Sequence, residues 1–366
     1  MSHHIVRYRI ESWMAMARRN LTIAAALLLP LALNPASAEE TSPIHLRIAG
    51  GLGGVIQYTQ YEAPFWTEEV PRLTEGRVRA EIAPFDQSGI RGTEMLSFMR
   101  LGVVPFGTLT LAVAAGDEPE MGAMDLPALN PNINVLQQSV TLLRPRLEEL
   151  LRDRYNVQLL AVYTYPAQVM FCRDPFTSLD DLSGRRIRTS SVGQSELMQA
   201  LGAIPVVISF SGIVKAINDR VVECAITGSM SGNSIGLQAV TSTVSRQAIS
   251  WGISFFGANM AAWRALPPEI RSQLQAGLQK LESRIWQVAQ QQTENGFACN
   301  AGLPSCTDGT PGRMVVLDDS VRDQRRRDAL LRDTVLPKWI QRCGSECAEV
   351  WNRYVAPTRG IVARAD

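Results

Sequence analysis

Histidine is scarce in this sequence, and its scarcity limits the chemistry that the chain can perform. The chain of 366 residues has three histidines, and His3 and His4 leave only His45 outside the extreme N-terminus. General acid–base catalysis and transition-metal sites rely heavily on imidazole. We find no cluster of carboxylates or nucleophiles that could replace it. The sequence therefore predicts a protein that is not an enzyme and that uses no metal or other cofactor.

A glycine-rich segment, Gly50–Gly54, exposes backbone amides that could bind a ligand. It follows an alternating, strand-like stretch at Ile44–Ile48 and precedes a helical stretch that starts near Gln57. A phosphate cradle would need a Lys-Ser/Thr ending, or the dinucleotide spacing followed by an acidic residue, and neither is present. The segment is therefore either a turn that lines a ligand site or an ordinary flexible turn.

The N-terminus has the pattern of an export signal. Four arginines precede an apolar run of 13 residues, Leu21–Leu33, and the small residues Ala36-Ser37-Ala38 follow it. A membrane-spanning helix needs about 20 apolar residues, so a permanent anchor is the weaker interpretation. We expect residues 1–38 to be a signal peptide that is cleaved after Ala38, and the mature chain to reside in the periplasm.

The six cysteines fall into two groups. Cys172 and Cys224 stand alone in apolar, strand-like stretches and are expected to be buried free thiols. The other four form two local pairs, which are Cys299 with Cys306 and Cys343 with Cys347. In an exported chain such pairs favour disulfides over a zinc site, with pairing across the two clusters as the alternative.

Size and hydrophobic periodicity predict an α/β protein with two lobes. The mature chain exceeds the length at which a single core usually stops growing, and short strand and helix patterns run through it and restart near 166. We expect mixed sheets, strands that cross a hinge, and a long helix that spans both lobes. The expected parts are a first part of lobe I (39–165), lobe II (166–250), a return to lobe I with the long helix (251–295), and a C-terminal helical segment (296–366). This last segment carries the two cysteine pairs and is expected to pack on lobe II.

The central part of the chain resembles a known family. Ser178–Arg188 reads SLDDLSGRRIR, LGAIPV follows at Leu201–Val206, and Asn259–Pro268 introduces the long helix. These stretches are similar to the extracytoplasmic solute-binding proteins of tripartite ATP-independent periplasmic (TRAP) transporters, of the DctP type. The similarity covers nearly the whole mature chain and weakens beyond Cys299. It implies two α/β lobes, joined by crossing strands, that enclose a ligand.

The resemblance also implies ligand-binding residues. The family's arginine in the strand after the Leu-x-Gly turn corresponds to Arg188, and a guanidinium fork suits an enclosed carboxylate. Arg186 lies on the same side of that strand by alternation, but the family pattern gives it no ligand contact. The other positions carried over are Gln168, where some members have a second arginine, Phe210, Thr227, Tyr58 and Thr110.

The resemblance leaves the ligand open between a monocarboxylate and a dicarboxylate. Gly212, Arg220 and the pair Glu223-Cys224 depart from the family pattern and prevent the transfer of a specific substrate. We expect a monomeric protein that captures a small organic anion and delivers it to the membrane subunits of a TRAP permease. A nucleic-acid partner is not expected, because the whole chain has a net charge of only +1.

Three other functions remain as alternatives. An ABC-type binding protein is disfavoured by the Gly184–Arg188 turn and by the long helix after Pro268. A sensor-linked periplasmic binding protein cannot be distinguished by sequence from a transport component. A periplasmic enzyme on a two-lobed scaffold is the least favoured, because the mature chain has one histidine and no nucleophile motif.

Overall fold

A computed structural model describes residues 42–364 of the chain. The predicted signal peptide, residues 1–38, lies outside this range. The described part contains eleven strands, which are β1 (Ile44–Gly50), β2 (Val78–Pro84), β3 (Phe106–Thr110), β4 (Val157–Tyr163), β5 (Gln168–Cys172), β6 (Arg186–Thr189), β7 (Ile204–Val207), β8 (Cys224–Gly228), β9 (Thr243–Ser245), β10 (Ser254–Asn259) and β11 (Val315–Leu317).

Thirteen α-helical segments accompany these strands within residues 42–364. They are α1 (Val70–Leu73), α2 (Gly92–Arg100), α3 (Leu111–Ala114), α4 (Ile133–Tyr155), α5 (Val192–Ala200), α6 (Ile213–Asn218), α7 (Ser229–Ser234), α8 (Met260–Ala265), α9 (Pro268–Ala301), α10 (Val321–Leu330), α11 (Leu336–Cys343), α12 (Ser345–Val350) and α13 (Ala356–Arg359). Short π-helical turns lie at Gln57–Glu62, Phe65–Glu69, Leu331–Val335 and Trp351–Val355, and short 3₁₀ turns at Phe85–Gln87, Pro119–Asp125, Leu179–Leu182, Phe210–Gly212 and Leu237–Ala239. Among the described residues, we find no helix with the length and apolar character that crossing a membrane requires.

The strands form two mixed sheets, one in each lobe. Lobe I contains five strands in the order β2-β1-β3-β10-β4, and lobe II contains six in the order β11-β9-β5-β8-β6-β7. In lobe I, β1 is parallel to β2 and β3, and only β10 runs against its neighbours. In lobe II, β6 is parallel to β7 and β8, and β5 is antiparallel to β8. The predicted two-lobed α/β fold with mixed sheets is confirmed.

The chain crosses between the lobes twice through neighbouring segments. One crossing joins β4 to β5, and the other joins β9 to β10. The two crossings are hydrogen-bonded to each other, since Gln168 N donates to Ser250 O over 2.8 Å and Ile249 N donates to Gln168 O over 2.8 Å. The paired segments form the hinge strands that the sequence predicted.

Helix α9 is the long helix, and it contacts both lobes. Its first half buries Leu274 and Leu278 against the core of lobe I. In its last half, Gly296 packs against lobe II so closely that a Cβ there would lie 2.4 Å from Met230 N. The sequence suggested an end near Gly296, but the helix continues to Ala301 and stops at Gly302, which has a φ of 72°. Gly296 therefore serves close packing and does not end the helix.

The C-terminal segment packs on both lobes, whereas the sequence suggested lobe II alone. Strand β11 extends the sheet of lobe II beside β9. Trp339 Nε1 donates to Pro119 O of lobe I over 2.7 Å, and Arg342 forms an ion pair of 3.1 Å with Glu196 of lobe II. The segment therefore connects the lobes in addition to the hinge and helix α9.

All six cysteines are paired in the structure. Cys299 is bonded to Cys306 and Cys343 to Cys347, which are the two local pairs that the spacing suggested. The expectation that Cys172 and Cys224 are free thiols is wrong, because the structure joins them in a third disulfide. They lie directly opposite each other on the antiparallel strands β5 and β8, with their Cα atoms 4.1 Å apart.

Candidate functional site

A cavity of about 580 Å³ lies between the two lobes. In lobe I it is lined by residues that follow the carboxyl ends of parallel strands, such as Leu52 after β1 and Asp86 after β2. In lobe II it is lined in the same way by Ser190 after β6 and Phe210 after β7. Loops at the carboxyl ends of parallel strands are the usual place for ligands in α/β folds, so the cavity is the candidate binding site.

Arg188 is the buried cation of this cavity. Its side chain extends from β6 and is only 4% exposed. Nε donates to Ile208 O over 2.8 Å and Nη1 to Ile226 O over 2.6 Å. Burial lowers the pKa of the guanidinium to about 10, so it remains charged at neutral pH. Within residues 42–364 no carboxylate pairs with it, which leaves its remaining donors for an anion in the cavity.

Gln168 faces the same cavity at the start of β5. Its carbonyl Oε1 accepts hydrogen bonds from Gln194 Nε2 over 2.5 Å and from Ser250 Oγ over 3.0 Å. This pairing fixes the amide plane and directs the amide nitrogen away from those two partners. Gln168 therefore offers a neutral donor close to the hinge, where a second arginine would have offered a charge.

Phe210, Thr227 and Thr110 also line the cavity. The ring of Phe210 comes from lobe II and approaches lobe I, since a Cβ on Gly54 would lie 3.4 Å from its Cε1 atom. Thr227 lies at the end of β8 and is 3% exposed. Thr110 Oγ1 accepts from Ser254 Oγ over 3.1 Å. Together with Arg188 and Gln168, these residues make five of the six suggested site residues that the structure brings together.

Tyr58 is the suggested site residue that does not line the cavity. Its ring lies over β1, where a Cβ on Gly50 would be 2.6 Å from its Cε2 atom. Tyr58 belongs to the π-helical turn Gln57–Glu62, which follows the glycine-rich loop. Arg186 also lies outside the cavity, with 45% of its side chain exposed and Glu223 3.8 Å away.

The glycine-rich loop is held by side chains of lobe I. Gly51 N donates to the Glu62 carboxylate over 2.7 Å, and Gly53 N donates to Asp86 Oδ1 over 3.0 Å. The N–H of Leu52, between them, faces the Tyr165 hydroxyl. These amides already have partners, which agrees with the absence of a phosphate-binding motif. The loop is a shaped wall of the cavity, which was one of the two interpretations of its sequence.

Glu62 is a buried residue that holds the glycine-rich loop in place. It is 3% exposed and also accepts a hydrogen bond from Thr108 Oγ1. Burial raises its pKa to about 7, although hydrogen bonds from Thr108 and Gly51 act in the opposite direction. Glu62 therefore holds the loop in one conformation, but burial destabilises the ionised form of its carboxylate.

Several polar lining residues were not suggested by the sequence, and Asp86, Tyr165 and Ser190 are among them. Asp86 lies two residues after the end of β2, and Ser190 follows β6 directly. The rule that ligands bind beyond the carboxyl ends of parallel strands could have found both. Tyr165 lies in a hinge crossing, where no such rule applies.

Comparisons with known proteins agree with this architecture. The family model "Bacterial extracellular solute-binding protein, family 7", named DctP, matches residues 56–298. A curated relative, "Outer membrane transporter protein TsaT" of Comamonas testosteroni, is 24% identical over 227 residues, which are 58% of this chain and 63% of that protein.

Two solved structures are similar over most of their length. DctP7 of Bordetella pertussis, an extracytoplasmic solute receptor that binds pyroglutamic acid, has a TM-score of 0.73 at 20% identity and covers 85% of this chain and 99% of its own. A TRAP periplasmic solute-binding protein of Rhodoferax ferrireducens with bound malonate has a TM-score of 0.71 at 20% identity, and covers 83% and 95% respectively. From the family match and the two-lobed fold, we conclude that the chain belongs to family 7 of the bacterial extracellular solute-binding proteins, the DctP family.

Proposed function

We propose that this protein captures a small organic acid between its lobes in the periplasm and delivers it to the membrane subunits of a TRAP transporter. The observation that carries the proposal is Arg188, a buried cation that faces the cavity without a carboxylate partner in the described chain. A buried charge is costly unless it is paired. A ligand carboxylate is the partner that this site lacks.

The similar proteins support an acid as the ligand. DctP7 of Bordetella pertussis binds pyroglutamic acid, and the Rhodoferax ferrireducens protein has bound malonate. Both ligands carry a carboxylate that a guanidinium fork can hold with two parallel hydrogen bonds. We transfer to this chain the chemical class of these ligands but neither ligand itself.

The disulfides support a location outside the cytoplasm. Disulfides persist in oxidising compartments and are rare in the cytosol of most organisms. The structure joins three cysteine pairs. One of them, Cys172 with Cys224, cross-links the adjacent strands β5 and β8 in the lobe II sheet. Export through a signal peptide at residues 1–38 would bring the chain to the periplasm, where it would function as a monomer.

Substitution of Arg188 tests the proposed function. A thermal-shift screen with pyroglutamate, malonate and other organic acids first identifies a ligand, because binding to the native state raises its stability. Calorimetry then compares the wild type with Arg188→Ala and Arg188→Lys. Loss of one partner of an enclosed charge pair costs about 2 to 5 kcal/mol, so Arg188→Ala should weaken binding roughly 30-fold to several thousand-fold. Arg188→Lys should restore only part of the affinity, because lysine lacks the fork.

Arg186→Ala is the matched control. Arg186 lies on the same strand, carries the same charge, and is exposed beside Glu223 outside the cavity. It should leave the affinity unchanged. An Arg188→Ala protein that folds and binds the identified acid within about threefold of the wild type, which is less than 1 kcal/mol, would refute the proposed role of the arginine.

A further inference from the structure

The walls of the cavity around Arg188 are mostly apolar. Lobe I contributes Leu52, Phe85, Ile90 and Val113, and lobe II contributes Val207 and Phe210. Val207 lines the cavity and is 71% exposed. Apolar surface of this extent favours a ligand with an apolar body, because burial of that surface releases water from both partners.

Besides Arg188, the only cation that the described lining offers to a second carboxylate is the exposed Arg91. Position 168, at the start of β5, holds a neutral glutamine. Arg91 lies at the rim, but its guanidinium is paired with Glu94 and its side chain is 79% exposed. Arg188 is therefore the one buried, unpaired cation among the described residues that line the cavity.

Asp86 places a negative charge on the opposite wall. It lines the cavity from lobe I, and the only hydrogen bond to its side chain in the described structure comes from Gly53 N. No arginine or lysine of residues 42–364 forms an ion pair with it. If a ligand held at Arg188 extended a second carboxylate toward the lobe I wall, that group would thus approach Asp86, and the wall would offer it hydroxyl groups such as those of Thr93 and Thr110 but no buried cation. Like charges placed together at an interface discriminate strongly against the wrong partner.

The size of the cavity agrees with the same class of ligand. Its volume of about 580 Å³ lies within the range of clefts that hold molecules of ring size or larger. A very small diacid would satisfy Arg188 but would leave the apolar walls in contact with water. A ring attached to a carboxylate would cover the walls and still place its charge on the guanidinium.

We infer that the ligand is a monocarboxylate with an apolar, ring-sized body, and that Asp86 excludes dicarboxylates. This inference rests on the proposed function, because it assumes that the cavity binds an organic acid through Arg188. In this arrangement Arg188 binds the carboxylate, Phe210 and Phe85 contact the body, and Asp86 sets the upper limit on ligand charge. Asp86 is thus a specificity-determining residue.

Matched ligands test the inference on the purified protein. Benzoate is compared with terephthalate, which adds a second carboxylate to the same ring, and phenylacetate with benzene-1,4-diacetate. Benzamide has the ring without the charge, and malonate and succinate have two charges without the ring. We expect each ring monocarboxylate to bind on the order of 100-fold more tightly than its dicarboxylate counterpart, as measured by calorimetry.

The variant Asp86→Asn tests the role of the carboxylate. Asparagine is nearly the same shape, and its Oδ1 atom can still accept the hydrogen bond from Gly53 N. The association constant for terephthalate, divided by that for benzoate, should be at least about tenfold higher in Asp86→Asn than in the wild type, which corresponds to 1.4 kcal/mol. Glu81→Gln is the control, since Glu81 lies on β2 shortly before Asp86 but is exposed and outside the cavity. The Glu81→Gln variant should have the same ratio of the two association constants as the wild type.

The outcomes separate this inference from the proposed function. The inference is overturned if dicarboxylates bind as tightly as the ring monocarboxylates, or if only malonate or succinate binds. If Arg188→Ala abolishes the binding that is found in either case, the proposed function stands. The inference is likewise overturned if no ring monocarboxylate binds at millimolar concentration while pyroglutamate does. If benzamide binds as tightly as benzoate and Arg188→Ala has no effect, the proposed function itself fails. An unchanged ratio in Asp86→Asn removes the role of Asp86.

Discussion

Glu62 should make the stability of this protein depend on pH in an uncommon direction. Its carboxyl group is buried beneath the glycine-rich loop, and burial raises its pKa from 4.5 to about 7. Between these two values the native state binds more protons than the unfolded state. The free energy of unfolding must therefore fall as the pH rises through this window. The stabilising contribution is fully present below about pH 4.5 and is lost by about pH 7.

The variant Glu62→Gln should remove this dependence. At about 1.4 kcal/mol per pKa unit, the rise to about 7 corresponds to a loss on the order of 3 kcal/mol between pH 4.5 and pH 7. Glutamine keeps the shape and an oxygen for the N–H of Gly51, and the Thr108 hydroxyl can rotate to accept from its amide. We expect Glu62→Gln to be nearly as stable as the wild type at pH 4.5 and more stable at pH 8.

Urea denaturation of the ligand-free protein at several pH values measures this effect. Asp125 acts in the same direction, since burial raises its pKa to about 6, so the comparison must use the difference between Glu62→Gln and the wild type. Glu81→Gln, an exposed glutamate on β2, controls for the loss of one charge. Parallel stability curves for Glu62→Gln and the wild type between pH 4.5 and pH 8 would refute the reasoning.

Two further predictions concern the packing of lobe II. Gly296→Ala should destabilise the protein by about 1 to 3 kcal/mol, because the new Cβ would lie 2.4 Å from Met230 N, whereas Lys280→Ala at an exposed position of α9 should have little effect. Thermal or urea denaturation measures both, and equal stabilities would contradict the close packing. Non-reducing peptide mapping should find Cys172 linked to Cys224, and reactive thiols at these positions would contradict it. Replacement of both by serine should cost about 4 kcal/mol in the chain-entropy account, given a sequence separation of 52 residues.

The sequence predicted those strands and helices whose ends are marked by nearby residues. Arg188 follows a recognisable turn and lies on a short alternating strand, so the sequence indicated both the strand and the face of it to which Arg188 belongs. The long helix α9 was predicted because Pro267 and Pro268 mark its start. Its end was missed because Gly296 resembles a stop signal, whereas its close contact with Met230 comes from tertiary packing.

Features that depend on pairing between distant segments were not predictable. The disulfide between Cys172 and Cys224 follows from the antiparallel register of β5 and β8, which no local pattern specifies. The family resemblance placed Tyr58 in the cleft loop of lobe I, whereas in the structure its ring lies over β1 near Gly50. The position of Asp86 after β2 could have been found from the sequence, but its place facing lobe II depends on how the two lobes enclose the cavity.

The lobe I sheet cannot be completed until the chain has passed through lobe II and returned. Strand β10 separates β3 from β4 in the sheet, yet it follows both of them, and all of β5 to β9, in the sequence. Before β10 arrives, β3 and β4 each have an unpaired edge that could join another chain. Such non-local order is slow to form and exposes intermediates to aggregation. Lobe I therefore reaches its final topology only after Ser254–Asn259 has been synthesised, so its folding waits for most of lobe II.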